Sequence, residues 1–259
     1  MLVPIQASTR PHYREAMPAT DEPDRPLPGR QREARANDTA VLTAAREVFS
    51  ARGTEASMAD VARHAGVGVG SVYRRYPTKE ALVEALHVHA VREAARLAAE
   101  VADAVEGAAG APTAPVPGSR REDGPAPEDG PALEDRGGVT AFLERQITGA
   151  TGPLLRPPGL RGPLPPDLAA ASAELGAELE RIVARDRAAG LLPEGFTSAD
   201  VMQLLQHLRP ALPFGRDRAD ALHLRYLALV ARGLHEQARA GQPLPDGPRW
   251  DEWVGAWHD

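Results

Sequence analysis

Arg74 and Arg75, followed shortly by Lys79, the only lysine in 259 residues, form a compact group of cationic donors. A guanidinium fork can pair with phosphate oxygens or with guanine O6 and N7, while an ammonium acts on phosphate as a point charge. The chemistry on offer is recognition of a nucleic acid, with no bond made or broken. Other chemistries lack their parts. There is no cysteine, which removes disulfides, thiolate metal sites and thiol nucleophiles together. Gly66, Gly68 and Gly70 imitate a phosphate-binding loop. However, no strand precedes them, no βαβ unit surrounds them, and no Gly-Lys-Ser or Gly-Lys-Thr closes them. His87 and His89, two apart on a helix, point about 200° from each other and cannot share an ion. No Gly-x-Ser-x-Gly elbow or His-Glu-x-x-His pair occurs. Neither a catalytic residue, nor a metal ligand, nor a cofactor is expected, and the chain is not read as an enzyme.

Such donors must be carried on an element that faces outward. Helical periodicity begins near Asp38, with Val41, Leu42, Ala45, Val48 and Phe49 on one side, and Gly53 stands where a C-cap glycine belongs. Short helices are expected over about Met58–His64 and Val69–Arg75, separated by Ala65, Gly66 and Val67. Gly66 supplies the positive φ of a tight turn, and Val61, Ala62, Val67 and Val72 supply small apolar contacts for two crossed helices. Ser57 is placed to cap the second helix. A long fourth helix is expected from Thr78, an N-cap after Pro77, to about Val105.

Ala45, Phe49, Gly53, Met58, Val61, Ala62, Ala65, Gly66, Val67, Gly70, Ser71, Val72, Tyr73, Tyr76, Pro77, Thr78, Lys79, Glu80 and Leu82 stand at fixed spacing. With them the run from Val41 to Leu82 resembles the DNA-binding domain of the TetR family of bacterial transcription regulators nearly position by position. The resemblance implies that Val69, Gly70, Ser71, Arg74 and Arg75 meet base edges or phosphates in a major groove. Arg75 is the first choice for a base contact. It also implies that Tyr73 positions the domain on the DNA backbone through its hydroxyl. Lys79 opens the fourth helix, where its charge and the terminal amides suit a phosphate. Ser57 can meet phosphate as well as cap. Gly68 departs from the Ser or Thr that commonly opens the family's recognition helix, leaving few side chains at that end.

Charge is distributed in keeping with this. Between Arg30 and Glu80 there are nine Arg or Lys against six Asp or Glu, a local +3 that leaves −9 for the rest of a chain of net charge −6. Residues 1–36, with six prolines, read as a disordered arm whose basic end could touch DNA. Residues 37–82 read as the DNA-binding domain, with the fourth helix over 78–105 joining it to the remainder of the chain. Residues 106–138, with seven Gly and six Pro, read as a flexible acidic connector. Residues 139–259 read as a helical regulatory and dimerisation domain, with helices near Val139–Ile147, Asp167–Ala189, Ser198–Arg209 and Asp217–Arg239.

The last of these is apolar on two stripes, one of them Leu222, Tyr226, Leu229, Val230 and Gly233. It therefore needs covering on two sides, one of them by a partner subunit. Trp250, Trp253 and Trp257 read as a short helix closing over the core. Met202, Leu205, Gln206 and His207, with Phe142 and Phe196, are the candidates to line a ligand pocket, core or dimer packing being the alternative for each.

The fold expected is all-α: an N-terminal three-helix helix-turn-helix domain, then a C-terminal helical ligand-binding and dimerisation domain. No 18-residue apolar stretch and no apolar run of signal-peptide length is present, so a soluble, cytoplasmic protein without membrane contact is expected. The expected function is a homodimeric regulator of roughly palindromic operator DNA, a repressor released by an unidentified small-molecule effector. The alternative is a DNA-binding regulator with no such ligand, constitutive or answering to a protein partner.

Overall fold

A computed structural model of the chain describes residues 29–110, 136–149, 164–210 and 212–256. The described residues are helical, with no strand. In order they form α1 (Gly29–Arg52), a 3-10 turn (Gly53–Glu55), α2 (Met58–His64), α3 (Val69–Arg75) and α4 (Lys79–Gly110). Then come α5 (Gly138–Gly149), α6 (Pro166–Ala188), α7 (Ser198–Leu208), α8 (Arg216–Arg239) and α9 (Trp250–Gly255). Most of the expected arm, the connector from 111 to 135, and Trp257 lie outside the described residues.

Two boundaries differ from the sequence expectation. Helix α1 begins at Gly29, inside the stretch read as a disordered arm. Gln31, Arg32, Glu33, Ala34, Arg35 and Ala36 are good helix formers, and extending a helix already nucleated downstream adds a hydrogen bond per residue without a new nucleus. Helix α4 likewise runs on to Gly110, five residues into the expected connector, across Glu106, Gly107, Ala108, Ala109 and Gly110.

The chain divides into Met1–Asp38, of which only the start of α1 is described, and Thr39–Asp259. The second unit holds two separate cores. The head core gathers Val41, Leu42, Ala45 and Val48 from α1, Met58, Val61 and Ala62 from α2, Val72 from α3, and Tyr76 and Leu82 around the start of α4. The body core is built on α4 and α6, which pack along much of their length, and on α5 and α7. Phe142, Leu143, Ile147, Leu179, Ile182, Val183 and Val201 are fully buried there. On the rim Arg181 ties α6 to α4 through Asp103 at 3.0 Å and Glu106 at 2.9 Å.

Helix α5 is anchored from a distance. The carboxylate of Asp186, near the end of α6 and itself buried, accepts from the Gly138 amide at 2.9 Å and the Val139 amide at 2.8 Å. It thus satisfies two donors that a helix start leaves open. A Cβ at Gly138 would stand 2.7 Å from Ile182 Cγ2, so only glycine lets the two helices come this close.

The C-terminal segment is strapped down. The Leu244 amide donates to the Glu194 carbonyl at 2.7 Å. The Trp250 ring presses on Gly176 so closely that a Cβ there would meet it at 2.6 Å. Trp250 stacks on Trp253 with centroids 5.5 Å apart, and Trp253 Nε1 donates to Gln203 Oε1 at 3.2 Å. Trp250 and Trp253 therefore close over the core, as their spacing suggested.

Candidate nucleic-acid interface

The helix-turn-helix is fixed by local chemistry at each joint. Ser57 caps α2: its hydroxyl accepts from the Asp60 amide at 3.2 Å and donates to Asp60 Oδ2 at 2.6 Å, while the Ser57 amide donates to the same oxygen at 3.1 Å. Arg52 and Arg63 hold Asp60 Oδ1 at 2.9 and 3.0 Å. The Ser57 bonds first, and the arginines after them, lower the Asp60 carboxyl to about 2.

At the far end of α2 the Val67 amide reaches back to the Ala62 carbonyl at 3.0 Å, and Gly66 takes φ +69°, a conformation that glycine adopts without strain. His64 pairs with Glu47, tying the end of α2 to α1. Thr78 caps α4 by accepting from the Ala81 amide at 3.1 Å.

These joints leave one face of α3 outward. Val72 is buried beneath it, while Val69, Gly70, Ser71, Tyr73, Arg74 and Arg75 are exposed, Val69 and Tyr73 at 44% and 49%. A large aromatic and a β-branched residue half in water on a seven-residue helix are not explained by this domain's own core. Arg74 Nη2 donates to Ser71 Oγ at 3.0 Å, which aims that guanidinium along the helix. Lys79, at the first position of α4, places Nζ 5.5 Å above the Phe49 ring, so its charge is held against the head by an aromatic face. The structure thus brings Val69, Gly70, Ser71, Tyr73, Arg74 and Arg75 onto one exposed helix and sets Lys79 at the start of the next. Ser57 stands apart in one respect: both roles of its hydroxyl are occupied by the cap.

The Ser57 cap carries an expected outcome. Ser57→Ala leaves the Asp60 amide without its partner and lowers stability by about 1 kcal/mol in urea denaturation. Because folding depresses the Asp60 pKa, its contribution is complete above the ordinary 3.8 and disappears as pH falls towards about 2. Asp60→Asn should therefore flatten the loss of stability over that acid window.

The six pocket candidates are placed differently. Phe142, Phe196, Met202 and Leu205 are buried in the body core, Gln206 is half-buried, and His207 is exposed and hydrogen-bonds Gln203 at 2.8 Å. None of the six lines the cleft between α1, α4 and α5 or the small cavity beside Asp186. The larger, about 320 Å³, is lined by Arg46 of α1, Arg96 of α4, and Arg145 and Gln146 of α5, among others. The smaller, about 10 Å³ beside Asp186 and His235, has room for little more than a water molecule. Sequence reasoning missed the larger cleft because its walls come from three helices far apart in the chain. Arg46 alone gave a sign, as a charge one turn from the apolar residues of α1.

Comparison with known proteins agrees with the head. Residues 41–86 match the sequence profile of the bacterial regulatory proteins of the tetR family. A search of curated proteins finds no match. Among solved structures the chain is similar to a TetR transcription regulatory protein from Mycobacterium vanbaalenii, with 24% identity over 79% of this chain and 98% of that one, at a TM-score of 0.50. It is also similar to a TetR transcriptional regulator from Streptomyces coelicolor, with 25% identity over 76% and 97% and a TM-score of 0.39. The first likeness extends the agreement in fold beyond the head into the helical body.

Proposed function

We propose, from the premise that its residues 41–86 match the sequence profile of the tetR family of bacterial regulatory proteins, that this chain acts as a homodimeric, ligand-released repressor. It binds duplex DNA by laying α3 in the major groove. The observation that carries this is the exposed face of α3, where Tyr73 and Val69 stand half in water beside two arginines in a helix-turn-helix whose first helix is capped by Ser57. Arg75 reads a base edge, Tyr73, Arg74 and Lys79 hold phosphates, and Gly70 lets the backbone approach the groove.

Pairing of two such heads supports a two-fold operator with half-sites one helical turn, about 34–36 Å, apart. Helices α7 and α8 supply the contact between copies. Tyr226 and Leu229, both 56% exposed and one turn apart on α8, are the apolar stripe left uncovered by the chain's own core. Phe214, 54% exposed just before α8, extends it. No helix among the described residues is long and apolar enough to cross a membrane, and the reading is of a cytoplasmic binding protein rather than an enzyme. A ligand that prefers a body conformation in which the heads no longer match the operator lowers occupancy. A hundredfold change requires about 2.7 kcal/mol of differential binding.

Selection of bound sequences from random duplexes, followed by titration of the recovered operator, tests this. Arg75→Ala should weaken operator binding by roughly tenfold to hundredfold and relax preference at one base pair per half-site. Lys79→Ala should weaken all sequences alike and reduce the salt slope by about 1. No retention of the wild-type protein on any duplex at low salt would refute the DNA-binding reading.

A further inference from the structure

The cleft between α1, α4 and α5 has the charge of an anion site. Arg46, Arg96 and Arg145 face it against Glu93 and Glu100. Two of the three cations are matched: Arg96 pairs with Glu93, and Arg145 Nη2 with Glu100 Oε2 at 2.7 Å. Arg46, half-buried, makes no ion pair with another described residue.

Its field adds to a local excess of positive charge. The pKa of Arg209, at the end of α7, is held down first by burial and further by Arg216 and Arg46, against the pull of Asp220. The carbonyl end of α5 would repel an anion, but Arg216 Nη2 covers the Thr148 carbonyl at 2.7 Å. Gln146, only 4% exposed, also lines the cleft. A side-chain amide on a cleft wall can donate to, or accept from, a polar ligand atom.

From Arg46, which has no ion-pair partner among the described residues, Gln146 and the cavity that both of them line, we infer that this cleft binds a small organic carboxylate, its carboxyl group on Arg46 and a second polar atom on Gln146. A volume of about 320 Å³ is at the low end for small-molecule sites and fits a single-ring acid or a short dicarboxylic acid. The site bridges the head, through α1, and the body, through α4 and α5. A bound anion fixes one setting of the joint between them. That regulatory consequence rests on the proposal of ligand release, whereas the site itself does not.

Titration calorimetry of the full, DNA-free protein with succinate, 4-hydroxybenzoate and inorganic phosphate tests the inference. At least one of the two carboxylates should bind at one equivalent per chain, and phosphate at least about tenfold more weakly, since it cannot also reach Gln146. Arg46→Gln should weaken the bound carboxylate by about tenfold or more. Arg239→Gln, which removes the same charge from the far end of α8, should not. Absence of one-site binding by either carboxylate, phosphate bound as tightly, or equal behaviour of the two variants would overturn the assignment. Carboxylate binding that leaves operator affinity unchanged would overturn release by this ligand and leave the site standing. Operator binding by a protein that takes up neither carboxylate would overturn the site and leave the DNA-binding reading standing.

Discussion

Leu229→Asp should leave the protein folded but monomeric and cost it about a hundredfold or more in operator affinity. The residue is 56% exposed in the single chain, so a carboxylate there keeps its water and disturbs no internal packing. Across a two-fold contact each substitution is met twice, because the same patch faces itself. Two carboxylates would then be brought close together and stripped of water, at several kcal/mol per ion. Loss of the dimer separates two heads that otherwise bind as one unit, and linked sites exceed single ones by about 10²–10⁴ in avidity. Light scattering gives the mass and an electrophoretic mobility shift gives the affinity. A variant that remains dimeric would show that α8 does not supply the contact between copies.

The second large effect is on stability. Asp186→Ala removes the acceptor for two buried amides, those of Gly138 and Val139, and each orphaned donor costs about 1–3 kcal/mol. A loss of about 2–5 kcal/mol in urea denaturation followed by circular dichroism is expected, a large fraction of an ordinary domain's stability. Asn at 186 does not repair it. The two amides use different carboxylate oxygens, and an amide side chain would present one acceptor and one donor.

The direction of the pH effect is set by burial. Desolvation raises the Asp186 carboxyl above its ordinary 3.8 despite the two amide bonds and the nearby Arg185 and His235. A raised acid stabilises the fold most when protonated, so its contribution falls as pH rises through the folded value. In the wild-type protein that trend opposes the one from Asp60, and in Asp186→Ala it is absent.

The head was legible because its signals are local. The bounds of α2 and α3 agree with the sequence reading, since Ser57, Gly66 and Thr78 each act within five residues of themselves through caps and a positive φ. The start of α1 was misplaced because a polar helix shows no apolar period, and Gln31–Ala36 continue one by propensity alone. The Asp186 anchor joins residues 48 apart, and nothing in local periodicity marks it. The pocket candidates could not be told from core by type alone. Phe142, Phe196, Met202 and Leu205 have the residue types of either a pocket wall or a packed core, and only the meeting of helices decides which. On α8 the structure divides the apolar residues differently from the two stripes read in the sequence: Leu227 is 2% exposed and Leu224 and Val230 pack on the core, while Tyr226 and Leu229 stand 56% exposed.

The strap of Trp250 and Trp253 over α6 and α7 gives the molecule an optical asymmetry. Its three indoles all fall at position 250 or later, and residues 39–86 contain none. Ultraviolet emission excited at the indole band is therefore blind to anything confined to the DNA-facing helices and sensitive to the tail lifting from Gly176. A spectrum that changes when a small molecule is added reports on the body directly. One that stays constant while operator is titrated in says that contact with DNA is made without loosening that end of the chain.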